Sequence, residues 1–171
     1  ANDKIDPDFF KETAHLGRRC AEEGHTIVFG GTNQGLMDCV AKAAHEAGGQ
    51  VVGIVPTIIE KGGHSSAYMD IDIPCVNLSD RKELMNTQCD IAVALPGGIG
   101  TLDEIFTLAA SATIGYHDKR IVLFNIKGFW DALLHLLDHL QEQGMIRGNY
   151  RQTIAVANSV DEFFQLLQQT N

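Results

Sequence analysis

The sequence predicts an α/β fold: a Rossmann-like, doubly wound parallel sheet in three layers, held in a single domain over residues 1–171. Strand-length apolar runs alternate with helix-period segments along the whole chain. Those runs are apolar almost throughout rather than at every second residue, the pattern of strands covered on both faces. Two of them also lead through glycine-rich loops into helices. In open parallel sheets, ligands bind at such loops, beyond the carboxyl ends of the strands.

The elements follow in order. Asp6 and Pro7 supply a cap and a first-turn proline for a helix that runs to about Glu23 and stops at Gly24. His25 to Phe29 is a short β-rich run ending at Gly30-Gly31, and Gly35 to Ala47 is a helix closed by Gly48-Gly49. Gln50 to Val55 is a strand stopped by Pro56. Thr57 to Met69 has no clean period and carries Gly62-Gly63-His64-Ser65-Ser66, which predicts a loop able to act as a lid. A strand over Ile71–Val76 precedes a helix over Asp80–Gln88, with Asp80 as its cap. Asp90 to Leu95 is a strand entering Pro96-Gly97-Gly98-Ile99-Gly100, and a helix follows from Thr101 to about Ile114. The remainder reads as a strand over Arg120–Asn125, a helix over Phe129–Gln143, a short strand over Thr153–Ala157 and a last helix over Val160–Gln169. A doubly wound domain usually opens with a strand, whereas polar Ala1–Lys4 leads straight into a helix, so a first strand is expected to precede residue 1.

Composition excludes several classes of function. Thirteen Lys and Arg against 22 Asp and Glu leave a net charge of −9. That opposes general binding to nucleic acid or anionic membranes, since polyanions select basic surfaces. No apolar run reaches bilayer length, and the first residues lack a signal-peptide pattern. Cys20, Cys39, Cys75 and Cys89 are far apart with no CxxC pair, so they form neither a zinc motif nor a disulfide framework. They read as small apolar residues of a protein kept reduced, and the expected location is cytoplasmic.

Three constellations carry chemistry. In Leu95-Pro-Gly-Gly-Ile-Gly-Thr-Leu-Asp-Glu104 a buried strand feeds a glycine loop and a helix start, where unpaired N–H groups and the helix dipole favour an anion. Missing side chains at Gly97, Gly98 and Gly100 allow a phosphate to approach, and Thr101 adds a hydroxyl. The same residues also fit a capping box, in which Glu104 merely satisfies the Thr101 N–H. Neither GxGxxG nor GxxxxGK[ST] occurs, which disfavours a dinucleotide site or a P-loop. In Ser79-Asp80-Arg81-Lys82, a cap at Asp80 puts two cations in a first helical turn, the wrong end for the dipole. A nearby anionic ligand removes that conflict, and Arg is suited to bidentate phosphate contact; a solvated basic pair is the plainer account. Gly30-Gly31-Thr32-Asn33-Gln34-Gly35-Leu36-Met37 is again strand, loop and helix. It serves either as a tight packing turn or as a second wall of the pocket.

Taken in order and spacing, Gly31-xxx-Gly35-Leu-Met, Arg81-Lys82 and Pro96-Gly-Gly-Ile-Gly-Thr-xx-Glu104 resemble the LOG family of cytokinin riboside 5′-monophosphate phosphoribohydrolases, whose members are often labelled lysine decarboxylases. Val51–Pro56, His117–Arg120 and Gly144–Arg147 are also similar. The resemblance implies hydrolysis of the N-glycosidic bond of a nucleoside 5′-monophosphate, to free base and ribose 5-phosphate. It places catalysis on Arg81 and Glu104, and phosphate and ribose binding on Gly97, Gly98, Ile99, Gly100, Thr101 and Lys82, with Gly31, Thr32 and Gly35 beside them. Met37, Leu78, Ser79, Asp80 and Met85 are then the expected base-pocket residues. Leu78-Ser79-Asp80 stands where the family has Met-His-Glu, a departure that bears on base selection more than on bond cleavage.

The chemistry agrees with that implication. Breaking the bond builds positive charge on the ribose, which a carboxylate can stabilise while holding hydroxyls or orienting water. Arg81 can assist the leaving base or fix the phosphate. No cofactor and no metal are expected: His135 and His139 share a helix face that also carries Asp131, Asp138 and Glu142, a solvated face. A non-enzymatic nucleotide or molybdenum-cofactor carrier of the same fold is the alternative. A pyridoxal-phosphate decarboxylase is disfavoured, because Lys82 has no Schiff-base context. The small residues over Ala109–Gly115 permit close helix packing, on the domain's own sheet or between copies, and the resemblance implies a homodimer; with a net charge of −9, no nucleic-acid or membrane partner is expected.

Overall fold

The computed structural model describes residues 2–169. They form two compact units that divide between Cys89 and Asp90. In both units all strand pairing is parallel, which establishes the α/β class.

The first unit runs α1 (Pro7–Glu22), β1 (Ile27–Phe29), α2 (Gly35–Glu46), β2 (Val51–Pro56), α3 (Thr57–Lys61), β3 (Ile71–Cys75) and α4 (Leu78–Gln88). Its sheet has the order β1-β2-β3. Asp6 caps α1 by accepting from the Asp8 N–H, with Pro7 in the first turn. α1 crosses α2 closely at Gly17, where a Cβ would stand 2.6 Å from the Val40 carbonyl oxygen. Phe29, Ala41, Ala44 and Val51 make a core, with Met37, Tyr68 and Met69 packed on it. β2 is buried along its whole length, as its unbroken apolar run predicts.

The second unit runs β4 (Ala92–Ala94), α5 (Ile99–Thr113), β5 (Ile121–Phe124), α6 (Asp131–Glu142), β6 (Ile154–Ala157) and α7 (Val160–Gln168), in a sheet of order β4-β5-β6. β5 is fully buried at its centre. Trp130 seals the core beneath it and donates its indole N–H to the Ala94 carbonyl at 3.2 Å, since a buried indole requires an acceptor.

Several boundaries differ from expectation. The Thr57–Met69 segment opens with the one-turn helix α3, and Pro56 closes β2 within the strand rather than after it. α4 is capped by Asn77, whose side chain accepts from the Ser79 and Asp80 N–H groups. Asp80 therefore lies inside the first turn and accepts from the Val76 N–H at 2.8 Å. α5 starts at Ile99 with Gly98 as its cap, ahead of the expected Thr101.

Candidate active site

At the carboxyl end of β4 the chain passes Pro96 and Gly97 and turns into the fifteen-residue α5. Gly98 occupies the cap position and has no side chain with which to cap the helix. The first intrahelical bond runs from the Leu102 N–H to the Gly98 carbonyl, at 3.1 Å. The N–H groups of Ile99, Gly100 and Thr101 thus belong to an open first turn, backed by the helix dipole. Thr101 lies inside that turn, so it is not the cap residue that a Thr101–Glu104 capping box requires.

The glycines of this loop are explained neither by backbone nor by packing at two positions. Gly98 and Gly100 avoid the left-handed region, and a Cβ on either would meet nothing within 4 Å. Both are exposed, so the backbone between them is open to approach. Gly97 differs: a Cβ there would stand 2.1 Å from the Thr101 Oγ1, so its bareness lets the Thr101 hydroxyl fold back over the loop. Glu104 is half-buried and follows Thr101 by three residues, a spacing that sets both on neighbouring turns of one helix face. Ile99 is 82% exposed, an apolar side chain at the rim.

In the first unit, the Gly30–Gly35 loop is held by its own surroundings. Gly31 and Gly35 take φ of 75° and 64°, so here glycine is a backbone requirement. The Asn33 N–H donates to the His64 carbonyl and the Ser66 N–H to the Gly31 carbonyl. Thr32 bridges Ser65, and the Ser66 hydroxyl donates to Asp38 at 2.6 Å. The Gly35 N–H donates to the Asp3 carboxylate at 2.8 Å, so an acidic side chain of this chain sits at the α2 N-terminus. The segment expected to act as a lid is thereby tied to the glycine loop through His64 and Ser66. Arg81 and Lys82 lie half-buried in the second turn of α4, while Asn77 and Asp80 satisfy the first; the charge conflict expected from a cap at Asp80 does not arise.

Burial pushes the Cys20 thiol up to about 11 and also raises Cys39 and Cys75, so none of the three is an activated thiolate. Among the described residues no three His, Cys, Asp or Glu side chains gather to hold a metal. His135 and His139 are both exposed on α6.

The family model described as possible lysine decarboxylase matches residues 37–167. Cytokinin riboside 5′-monophosphate phosphoribohydrolase LOG5 of Arabidopsis thaliana is 37% identical over 143 residues, which cover 83% of this chain and 62% of that protein. LOG2 of the same plant is 30% identical over 154 residues, covering 90% and 72%. The chain belongs to the LOG family. It spans less than two thirds of LOG5, at 62%, and somewhat more of LOG2, at 72%.

Solved structures agree on the fold of this LOG-family chain. An X-ray structure of the structural-genomics target TM1055 is 27% identical with a TM-score of 0.77, covering 98% of this chain and 92% of the other. The molybdenum cofactor binding protein of Rippkaea orientalis is 22% identical with a TM-score of 0.76, covering 99% and 92%, a likeness of fold alone.

Of the expected base-pocket residues, Leu78, Ser79, Asp80 and Met85 lie on α4 and Met37 on α2. Met37 packs on the core of Phe29 and Val51. Leu78 is 64% exposed, Ser79 is exposed and Met85 is half-buried, all on α4. The sequence offers Gly30 only as part of a turn or pocket wall and gives no sign of Asp3, whose carboxylate bonds within the first unit's loop. No local pattern marks Asp3, because its partner Gly35 is distant in sequence.

Proposed function

We propose that this chain is a nucleotide-binding domain over residues 1–171 that hydrolyses the N-glycosidic bond of a nucleoside 5′-monophosphate, of the AMP or cytokinin riboside 5′-monophosphate type. The observation that carries the reading is the bare start of α5. Its cap residue is a glycine that lays no side chain over the first-turn amides, and Gly98 and Gly100 keep their backbone open without any need of their own for glycine. Such a helix start suits a dianionic phosphate. The names of the LOG relatives supply the substrate class.

Binding the 5′-phosphate at Gly97, Gly98, Ile99, Gly100 and Thr101 anchors the nucleotide by a part that does not react. That anchoring positions the ribose. As the C1′–N bond breaks, the electron pair leaves with the base and positive charge grows on the ring. The Glu104 carboxylate stabilises that charge. Arg81 donates to the departing base. Water adds hydroxide to C1′ and its proton goes to the base, so the products are free base and ribose 5-phosphate. No step calls for a metal or an organic cofactor.

The protein is further read as a homodimer. α5 is apolar yet buries only Ile105, leaving Phe106 at 41% and Ile114 at 68% exposed, with Tyr116 just beyond at 80%. A stripe of this kind suits a second copy. All four cysteines are free, in keeping with a reducing cytoplasm. Among the described residues no helix is long and apolar enough to cross a membrane.

Incubation with AMP, other nucleoside monophosphates and cytokinin riboside monophosphates, with assay of free base and ribose 5-phosphate, tests the reading. Release of base from at least one is expected. Tight retention of nucleotide without any release would instead favour the carrier.

A further inference from the structure

Gly30 follows β1 directly and opens the loop to α2, and it is buried. Its backbone does not call for glycine, since the positive-φ positions of this loop are Gly31 and Gly35. The demand comes from a side chain elsewhere in the fold. An ideal Cβ on Gly30 would stand 1.7 Å from Nη2 of Arg81, 2.7 Å from its Cζ and 3.1 Å from its Nε. The guanidinium therefore fills the space that any side chain at position 30 would take. The three nearest atoms to that Cβ all belong to this one group.

We propose that Gly30 is the positioning residue of Arg81: the missing side chain at the end of β1 is the seat that fixes where the guanidinium points. The inference rests on the reading of Arg81 as catalytic. Arg81 is carried by the second turn of α4, on a long side chain with several rotatable bonds, so its helix alone does not aim it. A seat formed by main chain at the end of a buried strand does, because strand ends in a packed sheet are fixed points. The group displaced by a methyl at position 30 is the far end of a flexible side chain. Gly30→Ala is therefore accommodated by moving the guanidinium and not the fold. Displacing a catalytic group by about 1 Å lowers turnover by up to roughly 100-fold. Because the phosphate is held elsewhere in this reading, the loss falls on kcat and leaves KM nearly unchanged.

A double-mutant cycle on nucleoside-monophosphate hydrolysis tests this, using Gly30→Ala, Arg81→Ala and the double variant. The expected result is a lowered kcat for Gly30→Ala with KM within about twofold of the parent, and no further loss when Gly30→Ala is added to Arg81→Ala. An equal loss in both backgrounds, or parental kcat in Gly30→Ala, would overturn the seat. If Gly30→Ala does not fold, the double variant decides: it folds with the Tm of Arg81→Ala if the guanidinium was the obstacle, and fails if it was not. If the parent releases no base from any nucleotide, the proposed hydrolysis falls. The seat is then read from the Nε–H resonance of Arg81, assigned by its loss in Arg81→Ala. A shift in Gly30→Ala supports the seat, and an unchanged resonance rejects it.

Discussion

An alanine methyl at Gly100 would meet open space, whereas one at Gly31 would fall 2.3 Å from the Val55 Cγ2 in a left-handed backbone. The two loops thus use the same residue type for different reasons, and only the structure separates them. In sequence both are strand, glycines and helix. The difference yields a prediction with opposite signs in two measurements. Gly100→Ala raises stability by a few tenths of a kcal/mol up to about 1 kcal/mol, since alanine favours a helix and costs no packing here. The same methyl stands where a phosphate would approach, so affinity for AMP falls while affinity for adenosine does not. Thermal unfolding and calorimetric titration check the pair; equal AMP affinity would remove the phosphate from α5. Arg81 and Glu104 are candidates through the resemblance to the LOG family, whereas the dependence of Arg81 on Gly30 is legible in neither the resemblance nor the local sequence. Nothing in the local pattern of either segment encodes a contact between a strand end and a helix second turn.

Helix starts show where sequence reading of elements succeeds and where competition misleads it. Asp6-Pro7 predicts the start of α1 correctly, because cap and first-turn proline agree. At α4 two capping residues, Asn77 and Asp80, lie a turn apart, and the earlier one takes the cap while the later bonds to the Val76 N–H. At α5 the expected cap Thr101 loses to Gly98, which offers no side chain at all. α3 has five residues, too few to show a helical period in the sequence. The assignment at α4 is directly testable. Asn77→Ala lowers stability by about 1 kcal/mol, as loss of a helix cap does. Asp80→Asn leaves the Asn77 cap in place and costs less. Denaturant titration of the two variants ranks them, and the reverse order would restore Asp80 as the cap.

For the molecule as a whole, the alternation of apolar runs and helical periods sufficed for the α/β class, because a parallel connection needs a crossover helix and buried strands need apolar residues on both faces. β2 and β5 show this most plainly, being apolar and buried along their length. What alternation does not encode is the bonding of loops far apart in sequence, such as His64 and Ser66 to the Gly31–Asn33 turn. It also does not encode the association of copies. The exposed apolar residues of α5 predict a homodimer, and light scattering on a sizing column measures it. Phe106→Glu is expected to shift the species toward the monomer, whereas a parent already of monomer mass would reject the dimer. In the proposed function, α5 binds the nucleotide phosphate and presents Glu104 to the ribose. Turnover and binding of AMP and a cytokinin riboside 5′-monophosphate by the parent and Glu104→Gln test it most directly. Base and ribose 5-phosphate are expected from the parent, and loss of turnover with nucleotide binding largely retained from Glu104→Gln; undiminished turnover in that variant would remove Glu104 from the reaction.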